Sequence, residues 1–296
     1  MVFNSSDDPV RDTLVANVGV FRNEGRTAYV LCGCVVSDVG CVLPRNEDNF
    51  LFLGRYNQRC LDYCRLSGSE QGTAADWHLA AVFDGISSAR GGIAAEETAR
   101  IFQTALPELS EARDEDAADT IVRRVFQESN DHICQNRLGG TTATVLCMSQ
   151  TSFKLFHLGD SRAYRYRKEK LTQLTRDQTL ARLKQDAGLY DPEDTGIGRD
   201  SHILTDYLGR DQGGKPVESA WMPIQEGDHI LLCSDGLYGR CSEREMTRVL
   251  DTGAEPEVQA QSLADAAREA GGTDNITCMV IRFYEEKKGG NENGSL

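Results

Sequence analysis

The chain is poor in the groups that most often do chemistry in enzymes. Only five histidines occur in 296 residues, and only two tryptophans. No two histidines sit at ligand spacing on one face, so a histidine-built zinc centre is not expected. Basic residues are the minority, 32 against 46 acidic ones, for a formal net charge of −14. That balance excludes a general affinity for nucleic acid or an anionic membrane surface, which needs basic patches. No apolar run approaches the ~20 residues that span a bilayer. The N-terminal stretch lacks a basic start and an apolar core, so no signal peptide is expected and a cytoplasmic location is. Ten cysteines are present, but scattered, most of them inside apolar runs, where cysteine behaves as a small buried hydrophobe. Cys60 and Cys64 lack a second ligand pair, which argues against a zinc site.

What is present is a globular composition, 40% hydrophobic and 26% charged, without repeats or a dividing linker. Apolar runs at 29–40, 48–54 and 78–85 read as strands, the last stopping abruptly at Asp84-Gly85. Residues 93–109 and 116–137 carry apolar positions on one face and read as helices. Three segments between 141 and 168 read as a strand meander, 55–76 as a surface loop, and RYRKEK (165–170) as a solvated hairpin. Another apolar strand runs into Asp235-Gly236, two short helices cover about 242–270, and a last strand covers 275–284. Strands, then helices, then strands again predict an α+β fold with antiparallel sheets. The expected domain is 27–285, with an arm or edge strand in 1–26 and a disordered tail at 286–296.

Acids punctuate these strands. Asp48 opens one, Asp84 and Asp235 close two others, and Asp274-Asn275 precedes the last. Any one of them alone is an ordinary turn signal. Together they are candidates for one site: two carboxylates ~4 Å apart repel by about 4 kcal/mol at an effective dielectric of ~20, which only cations would relieve. An all-oxygen ligand set selects hard ions, Mg²⁺ or Mn²⁺.

Eight segments, in order, resemble the type 2C metal-dependent protein phosphatase (PPM) family, especially its bacterial members. They are SDVGCVLPRNEDNF (37–50), VFDG (82–85), GGTTATVL (139–146), HLGDSRAYRYR (157–167), LTQLTRDQTL (171–180), ILTDYLG (203–209), GDHILLCSDGLY (227–238) and GGTDNIT (271–277). The resemblance implies a four-layer α-β-β-α sandwich, with two central antiparallel sheets flanked by helices. It implies a centre of two Mn²⁺ or Mg²⁺ ions and hydrolysis of phosphoserine or phosphothreonine in proteins by a metal-activated water. Carried over by position, Asp84 bridges both ions, the Gly85 carbonyl binds one, and Asp235 and Asp274 bind the other. Glu47 and Asp48 contact the centre directly or through water, and Asp160 helps to hold a weaker third ion. Residues 179–201 match a variable flap. The implied partners are phosphorylated proteins and a serine/threonine kinase working in opposition. A monomer is expected.

The sequence departs from the family's pattern at three places. The arginine that usually grips the substrate phosphate is replaced by Leu43, leaving Arg45, two residues on, as its candidate substitute. Ser87, Ser88 and Ala89 replace two glycines and a histidine. Gln178 stands where histidine is common. These departures leave open a catalytically weak or inactive relative that binds phosphoproteins as a regulator. Hydrolysis of a small phosphorylated molecule also stays open. Arg162 is expected to form a structural ion pair, Thr141 and Thr142 to pack beneath the site, and His202 is the first histidine to consider as a proton donor.

Overall fold

The computed structural model describes residues 13–16, 29–59, 61–70, 77–86, 90–189 and 199–285. Two sheets stack face to face. The first has seven strands: β1 (Thr13–Ala16), β2 (Tyr29–Asp38), β4 (Tyr63–Glu70), β8 (Arg162–Arg167), β9 (Lys170–Gln173), β12 (His229–Cys233) and β13 (Ile276–Glu285), in the order β1-β4-β2-β13-β12-β8-β9. The second has six: β3 (Asp48–Leu51), β5 (His78–Asp84), β6 (Ala143–Met148), β7 (Ser152–Leu158), β10 (Val217–Glu218) and β11 (Met222–Pro223), with β3 at one edge. Both sheets are antiparallel apart from the edge strand β1, which runs parallel to β4.

Side-chain alternation sorts the layers. Along β13, Met279, Ile281 and Phe283 face the second sheet and join Phe50, Val82 and Leu146 in the inter-sheet core. Ile276, Cys278 and Val280 point the other way, onto α7 (Pro256–Glu269) and its neighbours α5 (Asp235–Tyr238) and α6 (Glu243–Leu250). Along β5, Leu79, Ala81 and Phe83 face α1 (Gly91–Thr104), α2 (Leu106–Ser110) and α3 (Glu115–Asn136). The result is the expected four-layer α-β-β-α sandwich. Asp114 caps α3 by accepting from the Ala117 amide at 2.8 Å, and Ser242 with Glu245 forms a capping box on α6. Both are side chains that satisfy otherwise orphaned helix amides. Among the described residues no helix is long and apolar enough to cross a membrane.

Two sequence expectations need correction. The polar stretch 55–76 contains β4, eight residues paired to β2. Its sequence YCRLSGSE lacks an apolar run, because this strand next to the sheet's edge sends only Leu66 fully into the inter-sheet core, with Cys64 packed against it. The strands of 141–168 are not one meander. β6 and β7 pair in the second sheet, but β8 pairs with β9 and β12 in the first. The chain therefore crosses between sheets at Gly159-Asp160-Ser161, the turn that carries one candidate acid. The expected hairpin 165–170 does form, between β8 and β9. The stretch read as an arm or edge strand contributes β1. The rest of 1–26 and the tail 286–296 lie outside the described residues.

The α1/α3 layer rests on aromatic packing. Phe126 is fully buried and meets Phe102 edge-on, with ring centroids 5.2 Å apart. Phe126→Ala should lower unfolding stability by about 3–5 kcal/mol. Urea denaturation measures it, and a loss well below 1 kcal/mol would contradict this packing role.

Candidate metal centre and substrate cleft

One end of the sandwich collects the acids. Asp48 starts β3 and Asp84 ends β5, and the two are directly opposed in the β3–β5 ladder. Like charges opposed across a ladder are destabilising, so this register is costly unless something compensates. Asp235 opens α5 immediately beyond β12, and Asp274 lies two residues before β13. Asp160 sits in the crossover turn. Exposure grades across the cluster: Asp48 is 1% and Asp160 7% exposed, Asp84 and Asp235 are half-buried, and Asp274 faces solvent.

Close backbone approach brings these strand ends together. A Cβ on Gly236 would lie 1.9 Å from the Asn275 carbonyl, and one on Gly85 2.5 Å from that of Glu47. Only glycine fits beside either aspartate. Asn275 is the staple. Its Oδ1 accepts from the Glu47 amide at 2.8 Å, and its Nδ2 donates to the carbonyls of Val39 and Arg45, both at 2.9 Å. One side chain thus fastens the 39–47 turn to the Asp274 loop. Ser234 donates to Asp48 Oδ2 at 2.7 Å while its Oγ accepts from the Thr277 amide at 3.0 Å. Thr142 Oγ1 accepts from the Asp84 amide at 3.0 Å, and Thr141 Oγ1 donates to the Asp84 carbonyl at 2.9 Å. The two threonines therefore brace the site from beneath, as expected. Ser234 and Asn275 were not singled out in the sequence. Their signal is adjacency, since each is the immediate neighbour of a candidate acid.

The electrostatics distinguish these acids from the rest. Elsewhere, aspartates have cations: Asp38 pairs with Arg268 at 2.5 Å, Asp228 with Arg167 at 2.5 Å, and Asp177 with Arg162 at 2.6 Å. Among the described residues, Glu47, Asp48, Asp84, Asp160 and Asp274 have no ion-pair partner, and Asp235 has only His202 Nδ1, 3.9 Å away. Burial first, and then the charges of Asp274 and Asp235, hold the Asp48 carboxyl at about 7, against the hydrogen bonds of Ser234 and Thr277. Burial and then Asp48, Asp235, Asp160 and Asp274 push Asp84 well above the carboxylate range. Burial and Asp235 raise Asp160 to about 8, and burial and Asp274 raise Asp235 to about 6. Glu47 is raised by burial and then by Asp274. Burial first, and the neighbouring charges second, thus make Glu47, Asp48, Asp84, Asp160 and Asp235 reluctant to ionise.

Such a cluster fits hard divalent cations. Every donor is oxygen and no histidine or cysteine joins the set, the chemistry of Mg²⁺ or Mn²⁺ rather than zinc. Among the described residues, no three His, Cys, Asp or Glu side chains close into a cage able to hold an ion by themselves. Hard ions that keep several waters do not require one.

A cleft of about 1040 Å³ opens beside the acids, lined by Asp160, Asp235 and Asp274 together with Arg162, Tyr238 and the α4 segment (Leu180–Asp186) of the expected flap. Residues 190–198 of that flap lie outside the described residues. His202, strongly exposed, stands at the cleft. Arg162 is, as expected, an ion-paired residue: it grips Asp177 and stacks 3.7 Å over the Tyr238 ring. Gln178 has a structural task, accepting from the Gly159 amide at 2.7 Å and so fastening the crossover turn. Arg45 is exposed on a turn rather than on a strand, so strand spacing does not govern its reach, and its charge bears on Glu47. Ser87, Ser88 and Ala89 lie outside the described residues.

Comparison with known proteins places this arrangement. A family profile described as Protein phosphatase 2C matches residues 55–268. The serine/threonine phosphatase stp of Listeria monocytogenes is 30% identical over 216 residues, 70% of this chain and 85% of the relative. A Streptococcus agalactiae serine/threonine phosphatase structure superposes with a TM-score of 0.73, covering 86% of this chain and all of the other, at 22% identity, a likeness of fold. The catalytic domain of the serine/threonine protein phosphatase PstP, solved in complex with two manganese ions, superposes with a TM-score of 0.67 at 25% identity, covering 87% of this chain and all of that domain. The chain belongs to the protein phosphatase 2C family.

A carboxyl whose pKa in the folded protein lies above its unfolded value of about 3.9 favours folding only while protonated. Metal-free stability should therefore fall as pH rises from about 4 through the folded values of about 6, 7 and 8 of Asp235, Asp48 and Asp160. Asp84→Asn removes one of the repelling charges. In chelator at pH 8 it should raise the melting temperature by about 2–4 °C per kcal/mol relieved, and do so less at pH 5. Thermal unfolding across that range measures it, and a variant melting lower than wild type at pH 8 would contradict mutual repulsion.

Proposed function

We propose that the chain is a metal-dependent protein-serine/threonine phosphatase that hydrolyses phosphoserine and phosphothreonine esters. The observation that carries this is the set of uncompensated carboxylates at the mouth of a substrate-sized cleft, in a protein phosphatase 2C fold. The residues that would hold two ions are Asp84, the Gly85 carbonyl, Asp235 and Asp274, with Glu47 and Asp48 acting in part through water, and Asp160 for a weaker third ion. When bound, such ions supply Lewis acidity toward the phosphoryl oxygens and lower the pKa of a water toward neutrality.

The protein's own part is positioning and charge. Asp48 and Asp84 are held by rigid strands, so their carboxylates cannot relax away from one another. Asn275 and Ser234 fix the two loops that complete the set. Arg45, exposed two residues before Glu47, would receive a phosphoryl oxygen with a charged hydrogen bond. His202, exposed at the cleft, can return a proton to the leaving serine or threonine oxygen. No cysteine takes part: Cys233 is fully buried, and burial pushes its thiol far up. Among the described residues the cysteines are scattered and unbridged, which fits a reducing cytoplasm. Monomeric action opposite a serine/threonine kinase completes the reading. The complete carboxylate set does not favour an inactive phosphoprotein-binding relative.

Phosphate release from a phosphothreonine peptide at millimolar Mn²⁺ tests the reading. Asp235→Asn should lower kcat on the order of a hundredfold, the scale of losing one charge-stabilising group. Absence of turnover in wild type would overturn the enzymatic reading, and equal turnover in the variant would overturn the role of Asp235. Arg45→Ala should raise KM by about tenfold, the loss of one charged hydrogen bond. Unchanged KM and kcat would remove Arg45 from the phosphate site.

A further inference from the structure

The net charge of −14 is not repeated in the cleft lining, where arginines and aspartates are equal in number. Four arginines line the cleft: Arg162, Arg176, Arg182 and Arg240. Arg162 is committed to Asp177 and Tyr238. Arg176 and Arg182, both exposed, share one carboxylate, Asp186, with Arg182 3.5 Å from it. Arg240 is exposed and forms no ion pair among the described residues. Its guanidinium donates to the Thr273 hydroxyl, one residue from Asp274. Arg240 and the Arg176/Arg182 pair come from different elements bordering the same cleft, Arg240 just past α5 and the pair on or beside α4. With the acids taken up by divalent ions and Asp177 by Arg162, the remaining charge of the cleft is positive. At about 1040 Å³ it is also far larger than a phosphoryl group and takes several residues of peptide.

We propose that this cleft selects phosphopeptides with acidic residues beside the phosphorylated one, and that Arg240 is the principal specificity-determining residue, assisted by Arg176 and Arg182. The proposal rests on the phosphatase reading and adds the substrate class to it. A guanidinium tethered by a hydroxyl keeps donors for a second partner, and a planar carboxylate of a flanking Asp or Glu matches its fork. Arg240 acts on the flanking side chain and not on the reacting phosphorus.

Two phosphothreonine peptides of equal length, one with Asp and Glu flanks and one with Ala flanks, separate the cases. With Mn²⁺ and the full chain, kcat/KM should favour the acid-flanked peptide by about fivefold or more, carried by KM, the scale of one charged hydrogen bond at a partly exposed site. Arg240→Gln should bring the ratio to about one by raising KM for the acid-flanked peptide, and Arg240→Lys should retain part of it. Arg244→Gln removes the same charge from α6, outside the cleft lining, and should leave the ratio unchanged. Equal kcat/KM for the two peptides in wild type, or a ratio undiminished in Arg240→Gln, overturns the proposal while leaving the phosphatase reading intact. Phosphonate analogues of both peptides, read by fluorescence anisotropy, cover the opposite failure. If neither peptide is hydrolysed, preferential binding of the acid-flanked analogue that is lost in Arg240→Gln upholds the selection and rejects the enzyme. Equal binding rejects the selection as well.

Discussion

Repulsion between carboxylates that the backbone will not let apart is the interaction on which the rest of this structure depends. Asp48 and Asp84 are neighbours in a ladder, Glu47, Asp235 and Asp274 lie beside approaches too tight for any side chain but hydrogen at Gly85 and Gly236, and Asp160 joins them from the crossover turn. A surface acid can swing into water or find a lysine. Asp48 and Asp84 are fixed by their strands, and among the described residues none of the cluster forms an ion pair with arginine or lysine, although Asp38, Asp177 and Asp228 do elsewhere. Stability is thereby given up locally, a deficit that bound divalent charge would recover. Strain of this kind is characteristic of functional sites.

The three hydrophobic cores make that arrangement possible. Alternation along β5 and β13 commits one face of each sheet to helices and the other to the opposite sheet. With both faces packed, strand ends are the places where polar groups can gather without burying an unsatisfied partner. The acids occupy one such end, and the cleft opens where the crossover turn, α5 and the Asp274 loop leave the sandwich.

Much of this was legible in the chain, for physical reasons that also explain what was not. Strands such as HLAAVFD and ITCMVIRFYE announce themselves because both their faces are buried. Asp-Gly at a strand end is legible because the acid and its glycine are adjacent. β4 was not, since a polar strand near a sheet edge looks like a loop. The switch of the chain between sheets at Gly159-Ser161 was hidden because consecutive strands usually pair. The arginines of the cleft were hidden for a different reason: Arg240 lies far along the chain from Arg162, Arg176 and Arg182, and nothing local marks it as their neighbour. Gln178 shows the limit of reading by substitution, since its amide fastens the very turn whose composition it seemed to disturb.

Membership of the protein phosphatase 2C family supplies the fold and the reaction class, whereas the acids supply the reason that divalent ions would bind here. That reason is open to direct observation. Crystals of the chain equilibrated with Mn²⁺ and measured at an energy where manganese scatters anomalously would locate the ions without reference to any activity. The account predicts two anomalous peaks, both within coordination reach of Asp84, one also reached by Asp235 and Asp274. Peaks lying elsewhere, or an unoccupied cluster at millimolar Mn²⁺, would contradict it.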